Sequence, residues 1–208
     1  IFENEWKNKR EIVESRIANL LGQSKKIGAR KCQVVELDAR TAIDFMEKNH
    51  IQGSCPSTVK LGLKYEDEVI AVMTFGRPRY NKDVEYELLR YSNALGCSVV
   101  GGASKLFKYF VKVYAPKSVI SYSDRRWNTG KLYENIGFKF IENTPPSYYY
   151  VIPGTCDLRH RSAFMKSKLP GILGERFDPA KTESQNMFDA GYRRMWDCGT
   201  SKWLFTSS

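Results

Sequence analysis

Cationic side chains and an aromatic ring stand together in this sequence just after a mostly apolar run. Arg125, Arg126 and Trp127 follow the segment from Ser118 to Ser123. Guanidinium groups bind phosphate oxygens and an indole ring stacks on a nucleobase, so this combination favours contacts with nucleic acid. The first chemistry that the sequence suggests is therefore the binding of phosphate groups.

A predicted helix with one basic side precedes this cluster. Apolar residues recur at the helical period from Ala103 to Tyr114, and three lysines occupy another side. A solvated helix face explains the lysines alone, but with the cations after the next strand they predict a surface that binds duplex DNA. The residues predicted to bind DNA are Lys105, Lys108, Lys112, Arg125, Arg126, Trp127, Lys131, Arg159, Arg161, Lys166 and Lys168.

Three other side chains have types and positions suited to acting on a ligand. His50 lies in a predicted turn, where an imidazole titrates near neutral pH; the alternative is that it caps the preceding helix. Arg90 is on a predicted strand and needs a carboxylate or phosphate partner, because an unpaired buried guanidinium is costly. Asp124 ends a strand and can accept from Arg90, orient a substrate, cap the next helix or pair with Arg125.

No pattern of metal ligands is convincing, and no metal is predicted. The three successive acids Glu66, Asp67 and Glu68 stand at a predicted hairpin tip, where they face different ways. Cys156 and His160 have a zinc-like spacing but lack two further ligands nearby. The five cysteines are scattered without a C-x-x-C pair, which favours reduced thiols.

Hydrophobic periodicity predicts the elements that position these residues. The predicted helices span 3–21, 41–49, 103–114 and 129–135, and the predicted strands span 32–37, 59–65, 69–75, 86–91, 118–123, 138–141 and 148–151. In such an α/β order, a glycine turn at a helix N-terminus lies at the carboxyl ends of neighbouring strands, where ligands bind. The predicted anion-binding turn consists of Gly101, Gly102, Ala103 and Ser104.

Composition and the predicted turns divide the 208 residues into three parts. Residues 1–31 read as a helix and a basic linker, residues 32–152 as the main domain, and residues 153–208 as a basic C-terminal extension packed on it. The apolar, uncapped start at Ile1 leads us to expect another domain upstream. The net charge of +10 and pI near 9.3 predict a polyanionic partner, with an acidic membrane surface as the alternative.

The order of elements from Cys32 to Val151 resembles the GNAT fold, and Leu132 to Phe138 (L-Y-E-N-I-G-F) resembles that superfamily's closing motif. The resemblance implies a mixed twisted sheet with flanking helices, here with an N-terminal helical arm and an irregular basic C-terminal extension. In acetyltransferases of that superfamily, an R/Q-x-x-G-x-G/A turn holds the pyrophosphate of coenzyme A. The corresponding turn, Ser98-Val-Val-Gly-Gly-Ala-Ser104, has neither Arg nor Gln at that place.

The sequence is also similar to the Mom-type DNA modification proteins of phages, a divergent branch of the same superfamily. The matching features are Asn49-His50, Glu87-x-x-Arg90, the small-residue turn, and Ser121-Tyr-Ser-Asp124 followed by Gly130-x-x-Tyr133. In that family the corresponding His, Arg, Asp and Tyr form the reactive site. The resemblance therefore implies His50, Arg90, Asp124 and Tyr133 as catalytic candidates.

A third resemblance concerns both ends of the chain. Ile1 to Val13 and Gly191 to Gly199 are similar to segments of phage-encoded homing endonucleases, in which a Vsr-like nuclease domain continues into a GNAT-like module. The nuclease residues, with their Mg²⁺, would lie in an upstream partner domain. The resemblance implies a DNA-binding or target-recognition module of an endonuclease, a hydrolase acting in the cytoplasm of the host cell near the nucleoid.

Two functions are therefore expected, and the sequence favours the first. The first is a DNA-binding module without a cofactor of its own and without a recognisable nuclease centre. The second is a Mom-like base-modifying enzyme or another GNAT-type acyltransferase that uses acetyl-CoA. An RNA-binding or protein-interaction module is a third option. No run of about 18 apolar residues occurs, so no membrane contact by a spanning helix is predicted.

Overall fold

Helices and strands alternate through residues 1–207, the part of the chain that the computed structural model describes. The helices are α1 (Glu3–Asn8), α2 (Arg10–Leu20), α3 (Ala39–Asn49), α4 (Gly102–Tyr114), α5 (Lys131–Asn135), α6 (Leu169–Leu173) and α7 (Glu183–Asp189). The strands are β1 (Lys25–Gly28), β2 (Gln33–Glu36), β3 (Val59–Tyr65), β4 (Glu68–Gly76), β5 (Tyr86–Asn93), β6 (Cys97–Val100), β7 (Ser118–Asp124), β8 (Lys139–Asn143), β9 (Tyr148–Val151), β10 (Leu158–His160), β11 (Arg193–Trp196) and β12 (Thr200–Thr206).

A seven-stranded mixed sheet organises the molecule, with the strand order β2-β3-β4-β5-β7-β12-β8. Neighbouring strands run antiparallel except β5 and β7, which are parallel. The predicted α/β class, a mixed sheet with flanking helices, is confirmed. No helix within residues 1–207 is long and apolar enough to cross a bilayer.

Helix α4 covers one face of the sheet because its apolar stripe has the helical period. Leu106, Phe107 and Phe110 are buried on this stripe, and the ring of Phe110 stacks on Phe75 of β4 with 3.7 Å between centroids. Burial of each large apolar side chain contributes about 1.5–3 kcal/mol. This contact fixes the N-terminus of α4 relative to the strands that precede and follow it.

The N-terminal region contains two helices where the sequence predicts one helix from Glu3 to Leu21. The break is at Lys9, whose φ of −136° and ψ of 37° are not helical. The Lys9 ammonium donates to the carbonyl oxygen of Ile51 at 2.8 Å, and this tertiary contact stabilises the break between the two helices. Ile12 and Val13 of α2 are buried beside Ile51, so α2 lies on the loop after α3.

The segment predicted as a basic linker, residues 23–31, contains a strand instead. β1 pairs in parallel with β6, from Lys25 opposite Cys97 to Gly28 opposite Val100. Ile27 is buried, so this apolar side chain of the segment belongs to the core. The prediction of a linker fails because the partner strand, which satisfies the backbone groups, is remote in sequence.

The C-terminal region forms a small second sheet and then returns to the main one. The second sheet has the order β10-β9-β11, and Tyr150, Phe164 and Met187 are buried beside it. β12 then inserts between β7 and β8, where Trp203 is buried in the main core. The division predicted at residue 152 therefore differs from the structure: β9 belongs to the second sheet, and β12 is an interior strand of the first.

Gly130 is a position where the tertiary structure requires glycine. Its φ is +89°, and a Cβ there would lie 2.6 Å from Cη2 of Trp203. Gly96 has a φ of +69° but no atom within 4 Å of such a Cβ, which makes it a matched control. Gly130→Ala is expected to lower the free energy of unfolding in urea by about 2–4 kcal/mol, because backbone strain and a clash add. Gly96→Ala is expected to lower it by about 1 kcal/mol, from the strain alone; equal losses would contradict the proposed clash.

Candidate active site

The two parallel strands at the centre of the sheet separate soon after they pair. The register between β5 and β7 covers three pairs and ends at Leu88 opposite Ser121. On its other side β5 has an irregularity, since Phe75 pairs with Leu88 and Thr74 with Arg90, which leaves Leu89 as an extra residue. Beyond Leu88, the edge of β5 that faces β7 therefore has no strand partner, and a cleft opens there.

The cleft has a volume of about 440 Å³ and combines residues from distant parts of the chain. His50, Arg90, Asp124 and Tyr133, the four candidates implied by the Mom-type resemblance, all line it. Their catalytic role stays a prediction, but the structure brings them to one place. The lining also includes Arg16, Gln52 and Tyr149, which the sequence did not single out.

His50 is held as a neutral imidazole. Burial, together with the positive charges of Arg90, Arg16 and Lys9, lowers its pKa to about 3. Its Nδ1 accepts a hydrogen bond from the Gln52 backbone N–H at 3.1 Å, so the single ring proton is on Nε2. His50 is therefore a hydrogen-bond donor at neutral pH, which differs from the titrating group that the sequence suggested.

Asp124 is not the partner of Arg90. Both carboxylate oxygens of Asp124 accept from the Arg126 guanidinium, the shortest bond being 2.7 Å to Nη2, and Oδ1 also accepts from the Arg126 backbone N–H. Glu5 of α1 lies 3.1 Å from Nη1 of the same guanidinium, and the ring of Phe2 lies under it at 4.1 Å. Arg126 thus joins the end of β7 to the N-terminal segment.

Arg90 bonds only to backbone oxygens among the described residues. It donates from Nη1 to the Leu89 carbonyl at 2.8 Å and from Nε to the Gly53 carbonyl at 3.3 Å. Glu87, the nearest carboxylate in sequence, is buried and paired with Arg79 at 2.6 Å. The positive charge of Arg90 therefore has no carboxylate in salt-bridge contact within residues 1–207.

Tyr133 is a neutral phenol in the wall of the cleft. It lies on α5, its ring is stacked on Trp203 with 5.3 Å between centroids, and its hydroxyl is 3.2 Å from Ser121 Oγ. Burial raises the pKa of Tyr133, which keeps the proton on the hydroxyl at neutral pH. Tyr133 is suited to donating a proton rather than accepting one.

The predicted anion-binding turn adjoins this cleft. Gly101 adopts a φ of +77° as the N-cap of α4 and offers no side-chain cap. The first backbone N–H groups of α4, on Gly102, Ala103 and Ser104, have no carbonyl partner within the helix and face a cavity of about 350 Å³ that these residues line. A Cβ on Gly102 would lie 2.8 Å from the Tyr91 hydroxyl, so the turn requires this small residue.

The predicted DNA-binding surface is only partly free. The Lys105 ammonium donates to the carbonyl oxygens of Ala29 and Cys32, and Arg126 is paired with two carboxylates. Trp127 is partly buried against α2. These three were predicted as DNA contacts, and the structure instead commits them to internal contacts.

The other predicted cations remain exposed, but they belong to different regions. Lys108 and Lys112 are on α4, and Arg125 and Lys131 follow β7, with Arg125 donating to the Cys198 carbonyl. The remaining four are on the second sheet and the turns after it: Arg159, Arg161, Lys166 and Lys168. Lys166 and Lys168 each donate to a backbone carbonyl, of Pro179 and Ser162 respectively.

Arg16 is the most informative residue that the sequence reasoning missed. It lies on α2 four residues after the buried Ile12, on the side of the helix that faces the core. Its guanidinium lies over the ring of Trp127 at 4.6 Å. A charged residue on the apolar side of a predicted helix is a signal that could have identified it.

Comparisons with known proteins find similarity to solved structures. No family model and no curated protein matches the sequence. The solved structures that are similar include a Bacillus subtilis acetyltransferase in complex with CoA (TM-score 0.47, 10% identity, 86% of this chain and 100% of that chain). Another is a GNAT family acetyltransferase from Elizabethkingia anophelis with acetyl-CoA bound (TM-score 0.45, 14% identity, 85% and 99%). Similarities this distant concern the fold alone.

One sequence prediction is corrected by these structures. The missing Arg or Gln before Gly101 led to the prediction that the module has no cofactor of its own. A third similar structure, a putative streptothricin acetyltransferase from Bacillus anthracis, also contains acetyl coenzyme A (TM-score 0.46, 9% identity, 85% and 99%). These similar structures thus contain CoA or acetyl-CoA, which contradicts the prediction of no cofactor. As for metals, residues 1–207 contain no group of three or more His, Cys, Asp or Glu arranged to hold an ion.

The lowered pKa of His50 predicts a pH dependence of stability. The unfolded chain takes up a proton near pH 6.5 and the folded protein only near pH 3. The free energy of unfolding therefore falls as the pH falls through this window, by up to about 1.4 kcal/mol per pH unit. His50→Asn, which can still accept the Gln52 N–H, should lose about 1–2 kcal/mol less than wild type between pH 7.5 and 5.0 in urea unfolding.

The exposed His160 supplies the control for this measurement. His160→Asn is expected to retain the wild-type pH dependence. If His50→Asn and wild type lose the same stability on acidification, the imidazole is not held neutral.

The Glu5–Arg126 contact predicts a stability difference between two glutamates of the N-terminal helices. Glu5 and Arg126 are 11% and 13% exposed, whereas Glu14 and its partner Arg10 are 50% and 64% exposed. Glu5→Gln is expected to lower the free energy of unfolding by about 1.5–3 kcal/mol, because the buried Nη1 of Arg126 loses the negative charge that faces it at 3.1 Å. Glu14→Gln should change it by less than about 0.5 kcal/mol. Similar effects in urea unfolding would contradict this assignment.

Proposed function

We propose that the protein is an acyltransferase that uses acetyl-CoA and transfers the acetyl group to an amine. The observation that carries the proposal is the opening between β5 and β7, which begins at Leu88 beside the uncapped N-terminus of α4. One side of this opening offers an anion site and the other offers buried polar side chains. A long ligand with phosphates at one end and a reactive group at the other would fit this arrangement.

The residues present fit the phosphate end of acetyl-CoA. Backbone N–H groups of Gly102, Ala103 and Ser104 would bind the pyrophosphate, since a helix N-terminus favours negative charge and presents free donors. The turn lacks the usual Arg or Gln side chain, but backbone donors do not depend on that side chain. The absence of an acidic residue in the first turn of α4 keeps this site positive.

The residues of the cleft have distinct roles in acyl transfer. When bound, acetyl-CoA would supply the acyl group as an activated thioester. Backbone N–H groups on the unpaired edge of β5 after Leu88 are positioned to orient a carbonyl oxygen. The Tyr133 hydroxyl holds a proton that can be donated to a leaving sulfur, and burial keeps it protonated until then.

The acceptor amine must be neutral to react, and the cleft favours that form. The carboxylates of Asp124 and Glu87 are occupied by Arg126 and Arg79, and His50 carries its proton on Nε2. The positive field that lowers the pKa of His50 would also lower the pKa of an amine placed beside it. The protein would thus assist deprotonation by electrostatics, with water taking the proton.

Binding of CoA tests the phosphate site directly. Ser104→Asp places a negative charge in the first turn of α4, where it stabilises the helix but repels phosphate. We expect at least a tenfold loss of CoA affinity by isothermal titration calorimetry, without loss of thermal stability. Ser104→Ala keeps the backbone N–H and should bind as wild type does. No CoA binding by the wild-type protein would refute the proposed function.

Tyr133→Phe tests the proton donor. Removal of the hydroxyl should lower kcat for release of free CoA by about 10²-fold at unchanged CoA affinity, the usual scale of general acid catalysis. The assay follows thiol release from acetyl-CoA in the presence of amines. An unchanged kcat would exclude Tyr133 as the donor.

A second candidate function is the DNA-binding module of a phage-type homing endonuclease, as the similarity of both chain ends suggests. The net charge of +10 and the exposed cations Lys108, Lys112, Arg125 and Lys131 favour it. Lys105, Arg126 and Trp127 are no longer part of this proposal, because internal contacts occupy them. A Mom-like modification of a DNA base would unite the two candidates.

Salt-dependent binding of a labelled duplex tests this second candidate. Replacing Lys108, Lys112, Arg125 and Lys131 by Ala together should weaken binding at low salt. It should also reduce the slope of log K against log salt by about 3.5, since each phosphate contact contributes about 0.9. The control replaces four other exposed cations by Ala: Arg40, Lys48, Arg77 and Lys82. Equal effects of both sets would show that only total charge matters.

A further inference from the structure

Two arginines in the cleft form no salt bridge among residues 1–207. Arg16 reaches the cleft from α2, and Arg90 reaches it from β5. Within residues 1–207, no carboxylate lies within 4 Å of either guanidinium, and Arg16 has no hydrogen bond to the protein. Burial lowers the pKa of both groups without removing the charge at neutral pH.

The carboxylates that could neutralise these arginines are already used. Asp124 and Glu5 are both bound to Arg126, and Glu87 is bound to Arg79. A partly buried cation without a partner is unfavourable in the folded protein. Taken together, Arg16, Arg79, Arg90 and Arg126 exceed these three carboxylates by one positive charge, which an anionic ligand would compensate.

The position of Arg16 is determined by tertiary contacts of α1 and α2. Glu5 is paired with Arg126 at 3.1 Å, Lys9 donates to the Ile51 carbonyl, and Val13 is fully buried. The guanidinium of Arg16 also rests on the ring of Trp127 at 4.6 Å. Arg16 thus belongs to a built site and differs from the exposed Arg10 on the same helix.

An unused hydrogen-bond donor lies in the same wall. The indole N–H of Trp127 is buried and has no acceptor among the described residues. Trp127 lines the cleft together with Arg16. Buried donors in folded proteins are nearly always paired, so this N–H is consistent with an acceptor that only a ligand or water supplies.

We infer that the acceptor is a small amine that carries a carboxylate or a phosphate, and that Arg16 and Arg90 bind this anionic group. Guanidinium groups bind both anions through paired N–H donors, and the cleft of about 440 Å³ matches a small molecule. The inference rests on the proposed acyl transfer for the amine, whereas the anion site itself stands on the geometry of the two arginines.

Matched pairs of amines test the inference with acetyl-CoA as donor. β-Alanine is compared with propylamine, and O-phosphoethanolamine with ethanolamine. At least one anionic amine is expected to have a KM at least tenfold below that of its neutral counterpart, and which one it is identifies the anion. Arg16→Gln and Arg90→Gln should each remove this preference, Arg16→Lys should retain part of it, and Arg10→Gln should leave it unchanged.

Three results of this assay would overturn the inference. The first is equal use of neutral and anionic amines, and the second is an equal effect of Arg10→Gln and Arg16→Gln. The third is inhibition by a short single-stranded oligonucleotide that depends on Arg16 and exceeds that by O-phosphoethanolamine, since the phosphate would then belong to a polymer.

A binding experiment without acetyl-CoA separates the inference from the proposed function. Acetate and inorganic phosphate are titrated into the full chain, with Trp fluorescence and calorimetry as readouts. Saturable binding of either anion that is lost in Arg16→Gln and Arg90→Gln, but kept in Arg10→Gln, supports the anion site even if no acetyl transfer occurs. No saturable binding of either anion overturns the inference even if CoA binds.

Discussion

The Arg126 guanidinium, bound to Asp124 and Glu5, is the interaction on which the arrangement of the cleft depends. All three side chains are at most 16% exposed, so the ion pairs are largely shielded from water. Removing one partner of such a group is destabilising, because a charge is left buried without compensation. The network ties the end of β7 to α1, and through α1 it places α2 and Arg16 over the opening between β5 and β7.

The chemistry available in the cleft depends on which arginines the carboxylates bind. Because Arg126 and Arg79 occupy the carboxylates, Arg16 and Arg90 keep uncompensated charge. That charge, added to burial, keeps His50 neutral and makes it a donor. The same site therefore lacks an obvious general base among the described residues and holds a protonated Tyr133.

The sequence predicted the elements of the fold well and the use of its cations poorly. The hairpin of β3 and β4, helix α4 and strand β7 agree with the predicted spans within one or two residues, since each has a clear apolar period. Lys105 and Arg126 were predicted as phosphate contacts, but they bind carbonyl and carboxylate oxygens inside the protein. Charge counting along a segment cannot distinguish these cases, because the carbonyl partners of Lys105 and the second carboxylate on Arg126, that of Glu5, are far away in sequence.

The Mom-type resemblance alone implied the grouping of His50, Arg90, Asp124 and Tyr133. What the sequence determined by itself is local: the amphipathic face of α4 and the small-residue turn at Gly101. These features depend on residue type and spacing over a few turns of chain. Only the tertiary structure decided that β12 inserts beside β7, that Asp124 shares Arg126 with Glu5 instead of pairing with Arg90, and that Arg16 enters the cleft. Each of these contacts joins residues more than 70 positions apart, and electrostatic complementarity and backbone pairing over such distances leave no periodic trace in the sequence.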